Sequence, residues 1–440
     1  MNDNYRINCS IGSLNSINII DQKSDICLNN KEYNMSTDSR SIQKNDIFIA
    51  LKGRYSDGHN FLPQAFNNGA SAAIISEKKI FEESNFPLIL VQDTFIALSK
   101  ISEYNFKDIK SLKIAITGSV GKTTTKDYLK NVLSYYEPTF AAPESFNNEL
   151  GIALSKAKIS KLDKYAIFEV GMNMKNEISN LSKHINPDIA IITNIGEAHI
   201  GNLGSKKNIA IEKSNIIDGM SDGGIVLLPR DSDYFEFLQK KALAKNLRSI
   251  TFGYSNKSDI QISKITRDKD RVFIEFKVFG EVFEAYSNMQ NISIINNYLP
   301  VLGIAHILNY DLNEVLKNIT KSNVHKSRWQ EFDFELDNGQ VRLIDDTYNA
   351  SPTSMFEAIR SVDEYEADRI FRKIIIIGDM LELGGFNEKY HSDLVDLINK
   401  TNIDHVYFCG EYLSSLFGLV TSKKKKKHFR SVKDIRSIDE

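Results

Sequence analysis

The sequence predicts an α/β protein of three domains with a largely parallel sheet at its centre. From about residue 110 onward, short apolar runs alternate with segments patterned as helices, the order that builds a parallel sheet covered on both faces. One of these runs, Ile114-Ala115-Ile116-Thr117, passes through a glycine turn into a helix that opens on Lys122-Thr123-Thr124. A length of 440 residues accommodates two to four domains at about 150 residues each.

Composition narrows the class. Lys and Arg number 55 against 57 Asp and Glu, a net charge of -2, so neither nucleic acid nor an anionic membrane is expected as the main partner. The one basic run, Lys423 to Lys427, is expected as a solvated loop. Cys9, Cys27 and Cys409 are scattered, without a C-x-x-C pair or a histidine at metal spacing, which argues against structural zinc or a disulfide framework and fits a reducing compartment. The N-terminus lacks the apolar stretch of a secretory signal, and no run reaches the ~18 apolar residues that span a bilayer. A cytoplasmic protein with no membrane span is expected.

Residues 1–109 read as a small α/β module. Asp46 to Leu51, Ser71 to Ser76 and Pro87 to Val91 are strand candidates, and Asn60 to Asn68 a helix. Turns at Lys52-Gly53 and Asp57-Gly58-His59 follow the first of these strands, where a loop meets ligands. Residues 110–324 form the second domain, with buried strands expected at Ile114–Thr117, Tyr165–Val170, Ile189–Thr193 and Ile225–Leu228. Three alternating runs over 259–286 add antiparallel strands, and a helix runs through Leu299, Leu302, Ile304 and Ile307. Residues 325–440 open on a hairpin over Glu331 to Asp345, turning at Asp337-Asn338-Gly339. Two further buried strands are expected at Ile374–Ile377 and His405–Phe408.

The turn Gly118-Ser119-Val120-Gly121 before Lys122 carries the strongest chemical signal. Backbone N–H groups there and the helix dipole attract anionic oxygens. Lys122 reaches β- and γ-phosphates, and Thr123, with Thr124 beside it, offers a hydroxyl to Mg²⁺. The longer G-x-x-x-x-G-K-[ST] form is not met, because position 116 is Ile; the shorter G-x-x-G-K-T-T form is.

Other polar residues stand at strand ends, where open α/β sheets place their ligands. Glu169 lies in a buried strand, where a carboxylate needs a cation or a partner; it is a metal-ligand candidate. His199, in Thr193-Asn194-Ile195-Gly196-Glu197-Ala198-His199, is either a second ligand or a structural histidine. Asn147 and Asn148 either contact substrate or cap the following helix. Asp345 and Asp346 start a polar cluster through Tyr348, Asn349, Ser351 and Pro352 to Thr353, either a capped turn or, as two adjacent carboxylates after a strand suggest, a ligand contact, and a helix is expected to begin at Pro352. Gly378 to Gly384 likewise follows a strand.

Together these motifs resemble the Mur ligases, ATP-dependent amide-forming enzymes of peptidoglycan precursor synthesis, and within them the MurF branch, which adds D-alanyl-D-alanine to UDP-N-acetylmuramoyl-tripeptide. Thr37 to Arg40, Ala50 to Gly53 and Asp57 to His59 resemble the UDP-sugar-binding module. Thr117 to Thr125 resembles the phosphate loop, Phe146 to Gly151 the asparagine motif, and Glu169 to Asn173 the metal-binding strand end. Ala210-Ile211-Glu212-Lys213 resembles the segment whose lysine is carbamylated, and Asp345 to Pro352, Gly378 to Gly384 and His391 resemble this branch in particular.

The resemblance implies a three-domain architecture with a Rossmann-like C-terminal domain, and a monomer. It implies ATP and Mg²⁺, and a reaction through an acyl phosphate that an amine displaces. Lys122, Glu169, His199 and Lys213 would be catalytic, with Thr123 and Glu169 on one Mg²⁺ and His199 and carbamylated Lys213 on a second. Gly118, Ser119, Gly121, Thr124, Asn297, Arg328, Asp345 and Asp346 would bind the nucleotide. Ser39, Arg40, Lys52, Asp57, His59, Asn147, Asn148, Tyr348 and Asn349 would bind the other substrates. The chain departs from the family at Asn291, Ser293 and Ser327, where Gly, His and Gly are usual. No Val-Lys-Gly-Ser-type strand and turn follows the lysine run, so the last strand and helix of the third domain are expected to be missing. The alternatives are a MurE-type or folylpolyglutamate-type ligase, or a nucleotide-binding module without turnover.

Overall fold

Strands are numbered in chain order. β1 to β6 are Arg6–Ser10, Ile19–Gln22, Glu32–Ser36, Ile47–Ile49, Ala72–Ile75 and Leu88–Val91; β7 to β9 are Leu112–Thr117, Thr139–Ala141 and Tyr165–Glu169. β10 to β15 are Ile189–Ile192, Ile225–Pro229, Arg248–Gly253, Ile260–Asp268, Arg271–Val278 and Glu281–Ser287. β16 to β20 are Gln330–Leu336, Gly339–Asp345, Ile374–Gly378, His405–Cys409 and Lys425–Phe429. The computed structural model describes residues 5–23, 32–53, 56–268, 271–322, 327–337, 339–365, 371–421 and 424–429. Cys27, Asn338 and Lys423 lie outside the described residues. The chain forms two compact units, Met1–Leu112 with Glu137–Phe168, and Lys113–Tyr136 with Glu169–Glu440.

In the first unit a six-stranded sheet runs in the order β1-β3-β4-β5-β6-β2. Its inner strands are apolar throughout because both faces are covered. The period-2 alternation divides them between two cores. Ile47, Ile49, Ile74 and Ile89 pack with Leu98, Ile101 and Leu154; Phe48, Ala73, Ile75 and Leu90 pack with Leu62 and Ala65. Each buried Ile, Leu or Phe among them contributes about 1.5–3 kcal/mol. The helix expected over Asn60 to Asn68 begins as a 3₁₀ turn, Gly58–Phe61, and becomes α-helical only over Leu62–Asn67. The Asp57 carboxylate caps that first turn, accepting from the His59 N–H.

In the second unit β7, β10, β11 and β12 pair in parallel, and β13 joins β12 in parallel before β13, β14 and β15 pair antiparallel. The helix Tyr298–Ile307 is apolar on all sides and buried from Tyr298 to Ala305. The hairpin of β16 and β17 keeps Gln330 opposite Asp345. The Ser351 capping box starts the helix Pro352–Asp363, as Pro352 indicated.

Two expectations for the C-terminal region need correction. β18 is not a buried strand: Ile374 and Ile376 are 49% and 61% exposed while Ile375 between them is buried. An uninterrupted apolar run reports strand propensity but not how many faces are covered. The lysine run is not a solvated loop. Lys425–Phe429 is β20, parallel to β19 at the edge of the three-stranded sheet, so the run itself supplies a strand. Lys424 is buried, its Nζ donating to the carbonyls of Thr401 (2.7 Å) and Ile403 (2.8 Å). Backbone carbonyls neutralise the cost of burying that ammonium, and lysines on an edge strand are a common guard against further pairing.

Candidate active site

Everything at the centre of the second unit is organised by the turn between β7 and the helix Lys122–Tyr136. Gly121 has φ of +83°, and a Cβ there would lie 2.2 Å from Asn297 Oδ1, so both the conformation and the space require glycine. Lys122 folds back over the turn, Nζ donating to the Gly118 carbonyl at 2.9 Å. Burial lowers its pKa, opposed by the nearby Glu169 charge and reinforced by Arg328. The first half of the turn is clasped by the segment after β10. Asn194 Oδ1 accepts from the N–H groups of Ser119 (3.0 Å) and Val120 (2.9 Å), and the Ser119 hydroxyl donates to the Gly196 carbonyl (3.0 Å).

Thr123 and Glu169 are both buried, and the Thr123 hydroxyl donates to Glu169 Oε2 at 2.8 Å. Arg328 Nη2 donates to the same Thr123 oxygen at 3.0 Å. A hydroxyl and a carboxylate oxygen at that separation match adjacent ligands on Mg²⁺, whose metal–oxygen distances of about 2.1 Å in an octahedron put neighbouring oxygens about 3 Å apart. The donor set fits one hard cation.

Lys213 sits on the helix Lys206–Ser214 and is only 2% exposed. Burial, then the charge of Lys122, drives its pKa well below that of a free lysine. Its neighbour Glu212 is turned to the N–H groups of Asn176 (2.8 Å) and Ile178 (2.9 Å). A neutral amine is the form that adds to CO₂. His199, in the left-handed region at φ +64°, has its pKa lowered by burial; Glu382 opposes that shift, while Lys122 and Lys213 add to it. The mutual fields place Lys122, His199 and Lys213 in one neighbourhood. Among the described residues no three His, Cys, Asp or Glu side chains gather as a metal site.

The residues expected at the nucleotide have a common geometry. Asn297 uses its whole carboxamide beneath the phosphate turn: Oδ1 accepts from the Thr125 hydroxyl (3.1 Å), and Nδ2 donates to the carbonyls of Ser293 and Ile294 (both 3.0 Å). Asp345 accepts from the hydroxyls of Ser327 (2.9 Å) and Thr347 (2.6 Å). Asp346 accepts from the Trp329 N–H at 3.2 Å, and burial raises its pKa. The two carboxylates thereby hold a turn in which Ser327 and Trp329 both have positive φ, aiming Arg328 between them at Thr123. The Arg328 guanidinium also lies 3.9 Å from the Tyr348 ring centroid. Asn349 Oδ1 accepts from the Ala350 N–H.

Family models match most of this chain: the Mur ligase family catalytic domain over 32–107, the Mur ligase middle domain over 116–305, and the Mur ligase glutamate ligase domain over 328–438. It is 34% identical over 401 residues to the UDP-N-acetylmuramoyl-tripeptide–D-alanyl-D-alanine ligase of Rickettsia prowazekii, covering 90% of this chain and 87% of the relative. The chain belongs to the Mur ligase family, in its MurF branch. A crystal structure of MurF from Acinetobacter baumannii superposes with a TM-score of 0.80 at 28% identity, covering 90% of this chain and 83% of the other. MurF ligase from Thermotoga maritima in complex with ADP gives 0.76 at 25%, covering 89% and 88%.

The residues that the Mur ligase resemblance assigns to the sugar nucleotide lie in the first unit. Arg40 pairs through both Nε and Nη2 with Asp38 (2.9 and 2.8 Å) and is exposed. The buried Ser39 hydroxyl donates to Gln64 Oε1. Lys52 stands 3.2 Å from Glu77 and 4.0 Å from Asp57. His59 is buried and uses both ring nitrogens inside the fold: Nδ1 is 2.6 Å from Asp57, and Nε2 accepts from the Ser76 N–H at 3.0 Å. It braces the loop that carries its neighbours. Asn148 is the cap of the helix Glu149–Lys158, accepting from the Gly151 N–H; Asn147 stands one residue before it.

Sequence reading gave no role of their own to Asn194, Glu197 and Glu382: Asn194 holds the phosphate turn, Glu197 accepts from Thr353 of the polar cluster, and Glu382 stands against His199. Their motifs were visible as polar segments near strand ends, but their contacts, such as Thr353 with Glu197 and Glu382 with His199, join positions far apart in the chain.

Proposed function

We propose that this chain, an ATP-dependent peptide ligase, joins D-alanyl-D-alanine to UDP-N-acetylmuramoyl-tripeptide in the cytoplasm, giving UDP-N-acetylmuramoyl-pentapeptide, ADP and phosphate. The observation that carries the reading is the Thr123–Glu169–Arg328 cluster in the field of Lys122, held on a chain that matches a MurF relative over 87% of its length. A carboxylate is a poor acyl donor; ATP supplies the phosphoryl group that activates it for attack by the dipeptide amine.

In this reading Gly118 to Thr124 cradle the phosphates, and Lys122 and Arg328 clamp the charge that develops during transfer. Thr123 and Glu169 would hold Mg²⁺, and His199 with carbamylated Lys213 a second ion, which supplies charge neutralisation. Carbamylation converts a buried amine, which burial and Lys122 hold toward its neutral form, into an anion that Lys122 attracts, creating a ligand. Asn297, Asp345 and Asp346 keep the turn and Arg328 in place for the nucleotide. Ser39, Arg40, Lys52 and Asp57, braced by His59, with Asn147 and Asn148, serve the sugar nucleotide. Tyr348 and Asn349 serve the dipeptide side.

Phosphate release from Mg·ATP with UDP-N-acetylmuramoyl-tripeptide, measured with and without D-alanyl-D-alanine, tests this. Release that depends on the dipeptide, with a product heavier by the dipeptide less one water, is expected. Dipeptide-independent release, or none despite ATP binding, overturns it.

A further inference from the structure

The seven residues from Thr193 to His199 are gripped at both ends. At the first end they hold the phosphate turn: the Thr193 hydroxyl donates to the Val120 carbonyl (2.5 Å), Asn194 Oδ1 takes the Ser119 and Val120 amides, and the Gly196 N–H donates to the Ser119 hydroxyl (2.9 Å). At the other end two residues of the C-terminal region take hold. The Thr353 hydroxyl donates to Glu197 Oε2 at 2.6 Å, and Glu382 Oε2 stands 2.5 Å from His199 Nδ1.

The second of these contacts is built with care by the backbone. Glu382 and His199 are both non-glycine residues with positive φ, +60° and +64°, conformations that persist only where the surroundings impose them. The Glu382 carbonyl accepts from the Gly201 N–H at 3.0 Å, and a Cβ at Gly201 would lie 2.5 Å from that oxygen, so the approach depends on glycine. Behind the loop, buried His391 fixes it from the other side, Nε2 accepting from the Met380 N–H (3.0 Å) and Nδ1 donating to the Asn387 carbonyl (2.8 Å). Nδ1 of the neutral ring makes no linear hydrogen bond, and the Glu382 carboxylate at 2.5 Å is the acceptor that faces it.

We propose that Glu382 is a positioning residue for the ligation: it holds His199 by Nδ1 and leaves Nε2 as the nitrogen that takes a metal ion. A carboxylate on the far nitrogen orients a ligating imidazole and raises its basicity. The proposal rests on reading His199 as a ligand. Since Glu382 belongs to the C-terminal region, the metal site is complete only when that region is seated on the segment after β10.

The test uses the full chain with Mn²⁺ and a non-hydrolysable ATP analogue, counting bound Mn²⁺ by electron paramagnetic resonance beside steady-state kinetics and thermal melts. Wild type is expected to bind two Mn²⁺. Glu382→Ala should weaken the second about 10–100-fold and lower kcat comparably, leaving the first Mn²⁺, the ATP KM and the melting temperature near wild type. Glu382→Gln, which keeps an oxygen acceptor in place, should recover most of both losses. Wild-type Mn²⁺ binding by Glu382→Ala overturns the proposal, as does a loss of both ions together with the melting temperature, or a Gln variant no better than Ala. If wild type binds one Mn²⁺ and His199→Ala binds the same, the ligand reading of His199 fails first and takes the proposal with it. Dipeptide-dependent phosphate release by wild type is judged separately.

Discussion

Arg328 and Thr123, 205 positions apart, meet at 3.0 Å through Nη2 and Oγ1 on the oxygen that Thr123 also shares with Glu169. One hydroxyl thus joins the phosphate turn, the end of β9 and the C-terminal region. Replacing Arg328 by Lys keeps the charge but loses the planar fork. Arg328→Lys should lower kcat about 100–1,000-fold, the scale of one lost stabilising donor, with thermal stability little changed. Wild-type kinetics would remove Arg328 from the reaction.

Lys122 folds over its own turn and is half-buried within the field of Glu169. Lys122→Ala should abolish phosphate release while circular dichroism and the melting temperature stay close to wild type. Turnover at the wild-type rate would remove the phosphate-loop assignment.

Lys213 is buried and held toward its neutral form by burial and by Lys122. Lys213→Ala should be nearly inactive and partly rescued by short carboxylates that occupy the carbamate's place. Activity of the unmodified chain should fall in buffers stripped of CO₂ and return with bicarbonate. A fully active variant that needs no rescue would end the modified-lysine reading.

Asn194 accepts from two amides of the phosphate turn at once. Asn194→Ala leaves the Val120 N–H without its partner while that of Ser119 keeps the Asn194 carbonyl at 3.2 Å, a cost of about 1–3 kcal/mol if the freed amide stays dry. ATP KM should rise about tenfold with a smaller change in kcat. An unchanged ATP KM would show that the turn holds its shape without the asparagine.

His59 uses both ring nitrogens within the first unit. His59→Ala should lower unfolding stability by about 2–4 kcal/mol, combining an orphaned N–H with a cavity. Urea denaturation reads this directly. A variant of wild-type stability that binds sugar nucleotide poorly would instead make the ring a direct contact.

The local code was legible because its signals are short-range. The run from Ile114 into Lys122 gave β7, the turn and the helix. Alternation over 259–286 gave β13 to β15, and Pro352 after Ser351 gave a helix start. Where the pattern was silent, neighbours decided. The apolar run in β18 could not report that Ile374 and Ile376 face solvent, since that depends on which elements cover the sheet. The lysine run could not report that β19 would pair with it and that the carbonyls of Thr401 and Ile403 would accept hydrogen bonds from the Lys424 ammonium.

By itself the sequence determined the α/β class, the phosphate turn and the residue types of the site, because periodicity, glycine geometry and a lysine beside threonines are local properties of the chain. Tertiary structure alone decided which of these residues meet. It set Arg328 on Thr123 and Glu382 on His199, and turned His59 and Asn297 inward as braces. The reason is physical: a hydrogen bond extends about 3 Å, and only folding brings residues far apart in the chain within that reach.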